Sequence, residues 1–408
     1  MKIGIVTTWF ERGAAYVSKI YKDQLEKQGH TVVIYARGGE KYAIGDPLWD
    51  LEEVTWGKRV SFPVESYVDN NCFANWLDKS QPDVVIFNEQ RWFPPILQCR
   101  ERGIKVGAYI DFYTEEMLPT FKIYDFLICN THKHKEAFDW HCQCYYVPWG
   151  TDINLFKPVE KDLNKEITYF HSAGMNPFRK GTDLLLLAFK KLVASGVDNV
   201  KLVIHTQVSS LEDFFKNSRQ SQNKEELYNA IKYLTERKML ALIYRTVTAP
   251  GLYHLGDVYV YPSRLDGLGL TVTEALACGL PTIVPDDGPM NEFINESNGK
   301  ICLIERFYAR SDGYYWPQNI ASIDSLSDRM KDYALMSKLE INERKKKTRI
   351  FAECHLDADR NFSKLTSILE TSKRTVLAKK DLEYINSFYP KKYQILSKLS
   401  FIYKLYKK

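Results

Sequence analysis

Short β-branched runs alternate with helix-period stretches along most of this chain, and that alternation restarts once, near residue 150. Such alternation is the signature of parallel βαβ units, because a parallel strand needs a crossover segment before the next strand can pair. In the first half, residues 2–8, 31–36, 84–87, 105–110 and 126–129 read as strands. A helix after residue 15 places Val17, Ile20, Tyr21 and Leu25 on one face and stops at Gly29, and residues 93–102 read as a second helix. Residues 40–80 carry no clear period.

Residues 146–158, bracketed by Pro148, Gly150 and Pro158, read as a crossing between two domains. Strands are then expected at 167–170, 201–205, 241–244, 258–261 and 282–284. The helix after Gly181 shows Leu185, Ala188, Phe189 and Leu192 at i, i+3, i+4, i+7, and helices are also expected at 225–237 and 270–278. Residues 304–325 mix aromatic and polar groups without a period and read as an insertion. The expected fold class is therefore α/β, with a first domain over 1–150 and a second over 151–350. A helix over 351–370 would return toward the first domain, and 371–408 would form a basic amphipathic tail. A chain of 408 residues also exceeds what one hydrophobic core usually serves.

Composition excludes several classes. At 45% hydrophobic and 26% charged the chain is globular, and no apolar run approaches the roughly 20 residues a spanning helix needs. The first residues lack the apolar core and cleavage site of a signal peptide, so a cytoplasmic location is expected. Eight scattered cysteines read as small core residues; His132, His134, His141, Cys142 and Cys144 lack paired Cys-x-x-Cys knuckles, and no metal is expected. The net charge of +5 is misleading, because residues 371–408 hold ten basic residues against two acids. The body is slightly acidic, and nucleic acid is not an expected partner.

The chemistry concentrates in residues 262–281, PSRLDGLGLTVTEALACGLP. A strand ends at Pro262, a glycine-bearing loop follows, and a helix opens near Leu270. Such a turn presents free backbone N–H groups and the positive end of a helix dipole. Asp266 lies in the loop and Glu274 one turn into the helix, so both carboxylates can face one cavity. An ionised carboxylate accepts from two hydroxyls at once, which suits sugar and ribose diols. The second motif is residues 173–185, AGMNPFRKGTDLL, in which Arg179 and Lys180 precede a long helix. Fixed cations there would stabilise the charge that develops on a leaving diphosphate.

Together these motifs resemble the donor site of the retaining GT-B glycosyltransferases of family four (glycosyl transferases group one). The resemblance covers about residues 1–370 and is specific in the second half. It implies two Rossmann-like domains facing across a cleft, the first on the acceptor side and the second on the nucleotide-sugar side. It implies that Glu274 holds ribose hydroxyls and that Asp266, where the family usually has Glu, contacts the transferred sugar. Gly267, Leu268, Gly269 and Leu270 would offer backbone N–H groups, and Arg179 and Lys180 would hold the diphosphate. The family often has another arginine earlier in this loop, where this chain has Gly174; diphosphate stabilisation would then rest on fewer charges, or use a cation from elsewhere such as Arg245 or Arg264. In the first domain, Asp111 follows a strand where the family often has His or Asp near the reacting sugar, and Gly13, since glycine permits close backbone contact, would let the first loop approach the donor phosphates or the acceptor. Asn88 and Glu89 stand at another strand end.

The implied reaction is metal-independent hexosyl transfer, with a nucleoside diphosphate sugar as co-substrate and no cofactor. Its acceptor would be a saccharide or a lipid-linked glycan in surface polysaccharide or lipopolysaccharide assembly. Residues 391–408 combine six lysines with an aliphatic and aromatic stripe, which fits an anionic membrane surface on the inner face of the cell membrane. A sugar-nucleotide epimerase of the same fold and a non-catalytic sugar-nucleotide-binding protein are the alternatives.

Overall fold

In a computed structural model, residues 1–38, 42–59, 66–110, 112–160, 166–220 and 223–388 are described. The chain forms two compact units: Met1–Trp149 together with the chain from Asp359 on, and Gly150–Ala358.

The first unit holds a seven-stranded parallel sheet of β1 (Lys2–Thr7), β2 (Thr31–Ala36), β3 (Val54–Trp56), β4 (Val84–Asn88), β5 (Lys105–Ile110), β6 (Phe126–Cys129) and β7 (Cys144–Tyr146). Their order is β3-β2-β1-β4-β5-β6-β7. Apart from Lys2, β1, β4 and β6 are fully buried, which is why they read as unbroken apolar runs. The helix Gly13–Lys27 buries Val17, Tyr21 and Leu25 as the period requires, while Ile20 is only partly covered. Tyr21 stacks on Tyr109 of β5 with ring centroids 4.5 Å apart. Within 40–80 the structure places β3 and the helix Asn70–Ser80, capped by the Asp69 side chain on the Cys72 N–H.

The chain returns to this unit beyond residue 358. The expected boundary at 350 falls inside the single helix Lys338–His355, which a Ser337–Glu340 capping box starts. Asn361 Nδ2 donates to the Trp149 carbonyl at 2.7 Å, and Lys105 Nζ donates to the Leu369 carbonyl at 2.6 Å. The first part of the basic tail also docks on this unit. Thr375 N donates to Asp125 Oδ1 at 2.8 Å, Lys122 pairs with Asp381 at 2.9 Å, and Ile385 of the helix Lys379–Phe388 is fully buried. Residues 389–408, with the expected membrane-facing stripe, lie outside the described residues.

The second unit repeats the architecture with six parallel strands: β8 (Ile167–Gly174), β9 (Val200–Thr206), β10 (Leu240–Tyr244), β11 (Val258–Val260), β12 (Thr282–Pro285) and β13 (Gly299–Cys302). Their order, β10-β9-β8-β11-β12-β13, is the doubly wound dinucleotide-fold order. Two Rossmann-like parallel-sheet units are thus present, as the alternation implies. The helix Thr182–Ala194 buries Leu185, Ala188, Phe189 and Leu192 in the core of this unit. The stretch read as an aperiodic insertion is an antiparallel hairpin of β14 (Ile304–Tyr308) and β15 (Gln318–Ala321). Its register shifts between Ile304 and Arg306, and this irregularity breaks the period-2 pattern.

The loop after β8 is packed against the loop after β11 at Gly181. Its φ is +70°, and a Cβ there would lie 1.9 Å from the Pro262 carbonyl oxygen. Gly181→Ala is therefore expected to lower unfolding free energy by about 2 kcal/mol or more, read as a lower denaturant midpoint. An unchanged midpoint would mean that the two loops are not in this contact.

Candidate functional site

In the second sheet, β8 and β11 are neighbours, and the chain leaves β8 toward β9 but leaves β11 toward β12. This is a topological switch point, where the loops from the carboxyl ends diverge and open a crevice. The loop after β8 carries Arg179 and Lys180; the loop after β11 carries Asp266 and leads into the helix Leu270–Ala277 with Glu274. The structure brings Lys180 and Asp266 together. Lys180 Nζ lies 2.5 Å from Asp266 Oδ2, with 13% and 16% of the two side chains accessible. Tyr261 joins them: its hydroxyl donates to Asp266 Oδ2 at 2.5 Å and accepts from Lys180 Nζ. Glu274 has a different neighbour, and its Oε2 accepts from the Tyr253 hydroxyl at 2.5 Å.

These environments drive the two carboxyls apart. Burial pushes the Asp266 carboxyl up, but the charges of Lys180 and Arg179 and the hydrogen bonds from Lys180 and Tyr261 outweigh it and hold the group below the usual carboxylate range. Burial likewise pushes Glu274 up, to about 7, and only the Tyr253 hydrogen bond and the Lys180 charge oppose it. Lys180 is brought down to about 8 by burial and by the neighbouring Arg179, with Asp266 and Glu274 pulling the other way. The site thus holds a fixed carboxylate, a cation and a second carboxyl that titrates near neutrality.

Backbone groups complete the crevice. Gly269, with φ +76°, precedes the helix, and Gly267 N donates to Asp266 Oδ1 at 3.0 Å. The N–H groups of Leu268, Gly269 and Leu270 meet no backbone acceptor among the described residues. They stand where a helix leaves its first donors open. Arg179 is half-buried and gives Nη1 to the Leu265 carbonyl at 3.1 Å.

Other candidates are placed elsewhere. Arg245 is exposed at the end of β10, the edge strand separated from β8 by β9, so the structure does not bring it to Lys180. Arg264 is not a spare cation, because Asp183 binds it through two hydrogen bonds of 2.7 Å. Gly13 opens the helix after β1 in the first unit and is exposed; Asn88, at the end of β4, is buried, and Glu89 follows it in the left-handed region with φ 45°. Asp111 lies outside the described residues. Among the described residues no group of three or more His, Cys, Asp or Glu could hold a metal ion, and no helix is long and apolar enough to cross a membrane. Tyr253 and Tyr261 were not apparent from the sequence. Tyr261 lies one residue before Pro262 in a strand-end position already read as core, and Tyr253 lies in a one-turn segment with no periodic signal.

The fold, two Rossmann-like parallel-sheet units, is of the GT-B type. Residues 154–346, within the second unit, match the family Glycosyl transferases group 1. The chain is 22% identical over 192 residues to a probable sucrose-phosphate synthase of Thermosipho melanesiensis, over 44% of this chain. The match spans only 43% of that relative's length. Among solved structures, the sucrose-phosphate synthase of Thermosynechococcus elongatus aligns with TM-score 0.64 at 15% identity, covering 91% of this chain and 98% of that one. Anabaena HepE in complex with UDP aligns with TM-score 0.68 at 14% identity, covering 91% and 100%. At these identities the structural likeness concerns the fold.

Glu274 gives a stability signature with a defined sign. Its folded pKa is raised from 4.5 to about 7, so its protonated form is favoured by folding. Its contribution is present below pH about 4.5 and is lost as pH rises through about 7. Relative to Glu274→Gln, the wild-type protein should lose stability across that window in urea melts at stepped pH. Parallel pH profiles for the two proteins would show that Glu274 is ionised normally.

Proposed function

We propose that this chain moves a sugar from a nucleoside diphosphate sugar to a saccharide or lipid-linked acceptor, with retention of anomeric configuration and without a metal. The observation that carries this reading is the Lys180–Asp266–Tyr261 cluster at the switch point, with Glu274 on the adjoining helix. An ammonium has three donors, so Lys180 can keep Asp266 and Tyr261 and still give one to a phosphate oxygen. As the bond from the anomeric carbon to the diphosphate breaks, charge gathers on the leaving oxygen, and Lys180 with Arg179 stabilises it. These cations take the place a metal ion would otherwise fill. Asp266, held ionised, accepts from hydroxyls of the transferred sugar, and Glu274 takes the ribose hydroxyls. The acceptor hydroxyl attacks on the same face, and its proton passes to the departing phosphate oxygen.

A uridine diphosphate sugar is the first donor to try, because the similar Anabaena HepE structures were determined in complex with UDP and with UDP-glucose. Release of nucleoside diphosphate that rises when an acceptor is added distinguishes transfer from epimerisation and from simple binding. Lys180→Ala and Glu274→Ala should each reduce transfer at least about tenfold in a protein that still melts cooperatively, at a lower temperature for Lys180→Ala, which leaves Asp266 without its cation. Asp266→Glu should retain part of the activity and Asp266→Asn little, since charge-assisted hydrogen bonds need the carboxylate. Near-wild-type turnover in Lys180→Ala and Glu274→Ala would refute the site.

The acceptor reading extends to the tail. Residues 391–408 are proposed to hold the protein on an anionic bilayer, where a lipid-linked acceptor of surface glycan assembly would be met from the cytoplasmic side. Deleting 391–408 should abolish sedimentation with phosphatidylserine vesicles at low salt and spare the fold. Equal sedimentation of both proteins, or none of either, would refute it.

A further inference from the structure

Behind the Lys180–Asp266 pair lies a second, more deeply buried ion pair. Arg264 and Asp183 have side chains 3% and 11% accessible and meet through two parallel hydrogen bonds of 2.7 Å. Arg264 Nη1 also donates to the Phe178 carbonyl, and the guanidinium lies 3.9 Å from the centre of the Phe178 ring. The backbone continues the link: Arg264 N donates to the Arg179 carbonyl at 2.8 Å, and Arg179 Nη1 returns to the Leu265 carbonyl at 3.1 Å. Every one of these contacts joins the loop of Lys180, or the helix it leads into, to the loop of Asp266.

A third segment fastens the same place. Asn319 of β15 is fully buried and gives its backbone N–H to the Arg264 carbonyl at 3.0 Å. Its side-chain amide reaches the carbonyls of Ser263 at 3.3 Å and Arg264 at 3.2 Å, and Asp287 Oδ2 at 3.0 Å. The hairpin that interrupts the regular alternation thus braces the loop that carries Asp266.

Stability does not explain this arrangement. A buried ion pair seldom outperforms apolar residues of similar volume, because desolvation consumes the Coulombic gain. What a bidentate guanidinium–carboxylate contact does supply is a fixed distance and orientation. Asp183 is itself set in the first turn of the helix Thr182–Ala194, where the dipole favours a carboxylate, so Arg264 closes on a rigid partner. We propose that Arg264 is a positioning residue that, with Asp183 and Asn319, holds Lys180 and Asp266 at pairing distance without touching the donor. The inference rests on the donor-site reading and gives the β14–β15 hairpin a part in it.

The test uses the full chain and UDP-glucose as probe. Arg264→Met alone leaves Asp183 buried without its cation and should lower the melting temperature. Arg264→Met with Asp183→Leu removes both charges and should melt close to wild type, yet bind UDP-glucose at least about tenfold more weakly in calorimetry, the size of loss that small misplacement brings. A second readout needs no nucleotide: the Lys180 ammonium, followed by side-chain nitrogen NMR, should titrate near 8 in wild type and lower in the double variant, where the Asp266 contact that raises it is loosened. If the double variant does not fold, Asn319→Ser carries the same comparison, because it removes the amide contacts and leaves the ion pair. Wild-type affinity and an unmoved Lys180 titration in a folded variant would overturn the proposal while the donor reading stood. No UDP-glucose binding by wild type, with Lys180 still moved in the variant, would overturn that donor assignment and leave the clamp in place.

Discussion

A lysine and an aspartate of opposite charge, 2.5 Å apart at the carboxyl ends of neighbouring parallel strands, are the contact on which the second unit's site depends. Neither could be placed there alone, since an isolated charge with so little accessible surface would lose its proton or gain one. Paired, Asp266 stays ionised despite burial, and Lys180 keeps a cation whose hold on its proton is loosened by burial and by Arg179. Glu274, eight residues on, has a tyrosine where Asp266 has a cation, and its carboxyl rises to about 7. Two acids of similar intrinsic strength are thus given different protonation behaviour by their neighbours alone.

The scaffold around that pair is economical in a physical sense. The switch in chain direction between β8 and β11 separates the loops after those strands, and the close approach at Gly181 with the Arg264 contacts sets how far. The N-terminus of the helix Leu270–Ala277 then adds open N–H groups beside Asp266 without further side chains.

Much of this was legible in the sequence, and the reasons are specific. Parallel strands buried on both faces must be continuous apolar runs, so β1, β4, β6 and β8 announce themselves; Gly181 and Leu185 through Leu192 mark a helix start and its buried face. Lys180, Asp266 and Glu274 stood out because carboxylates suit sugar diols, fixed cations suit a diphosphate, and their motifs resemble a known donor site. What stayed hidden depends on tertiary contact. β3 and β7 are three-residue, half-exposed edge strands with no run to detect. The β14–β15 hairpin is aperiodic at its bulge. Arg264 looked like a free cation because nothing local indicates that Asp183, 81 positions away, closes on it. Tyr261 looked like core and Tyr253 gave no periodic signal, and their hydroxyls gain meaning only when folding sets them on Asp266 and Glu274.

The central claim is that the second unit binds a nucleoside diphosphate through these side chains. A crystal structure of the full chain soaked with UDP tests it most directly. The account predicts phosphate oxygens within hydrogen-bonding distance of Lys180 Nζ and the ribose hydroxyls on the Glu274 carboxyl. UDP bound elsewhere, with Lys180 and Glu274 contacting only protein, would contradict it.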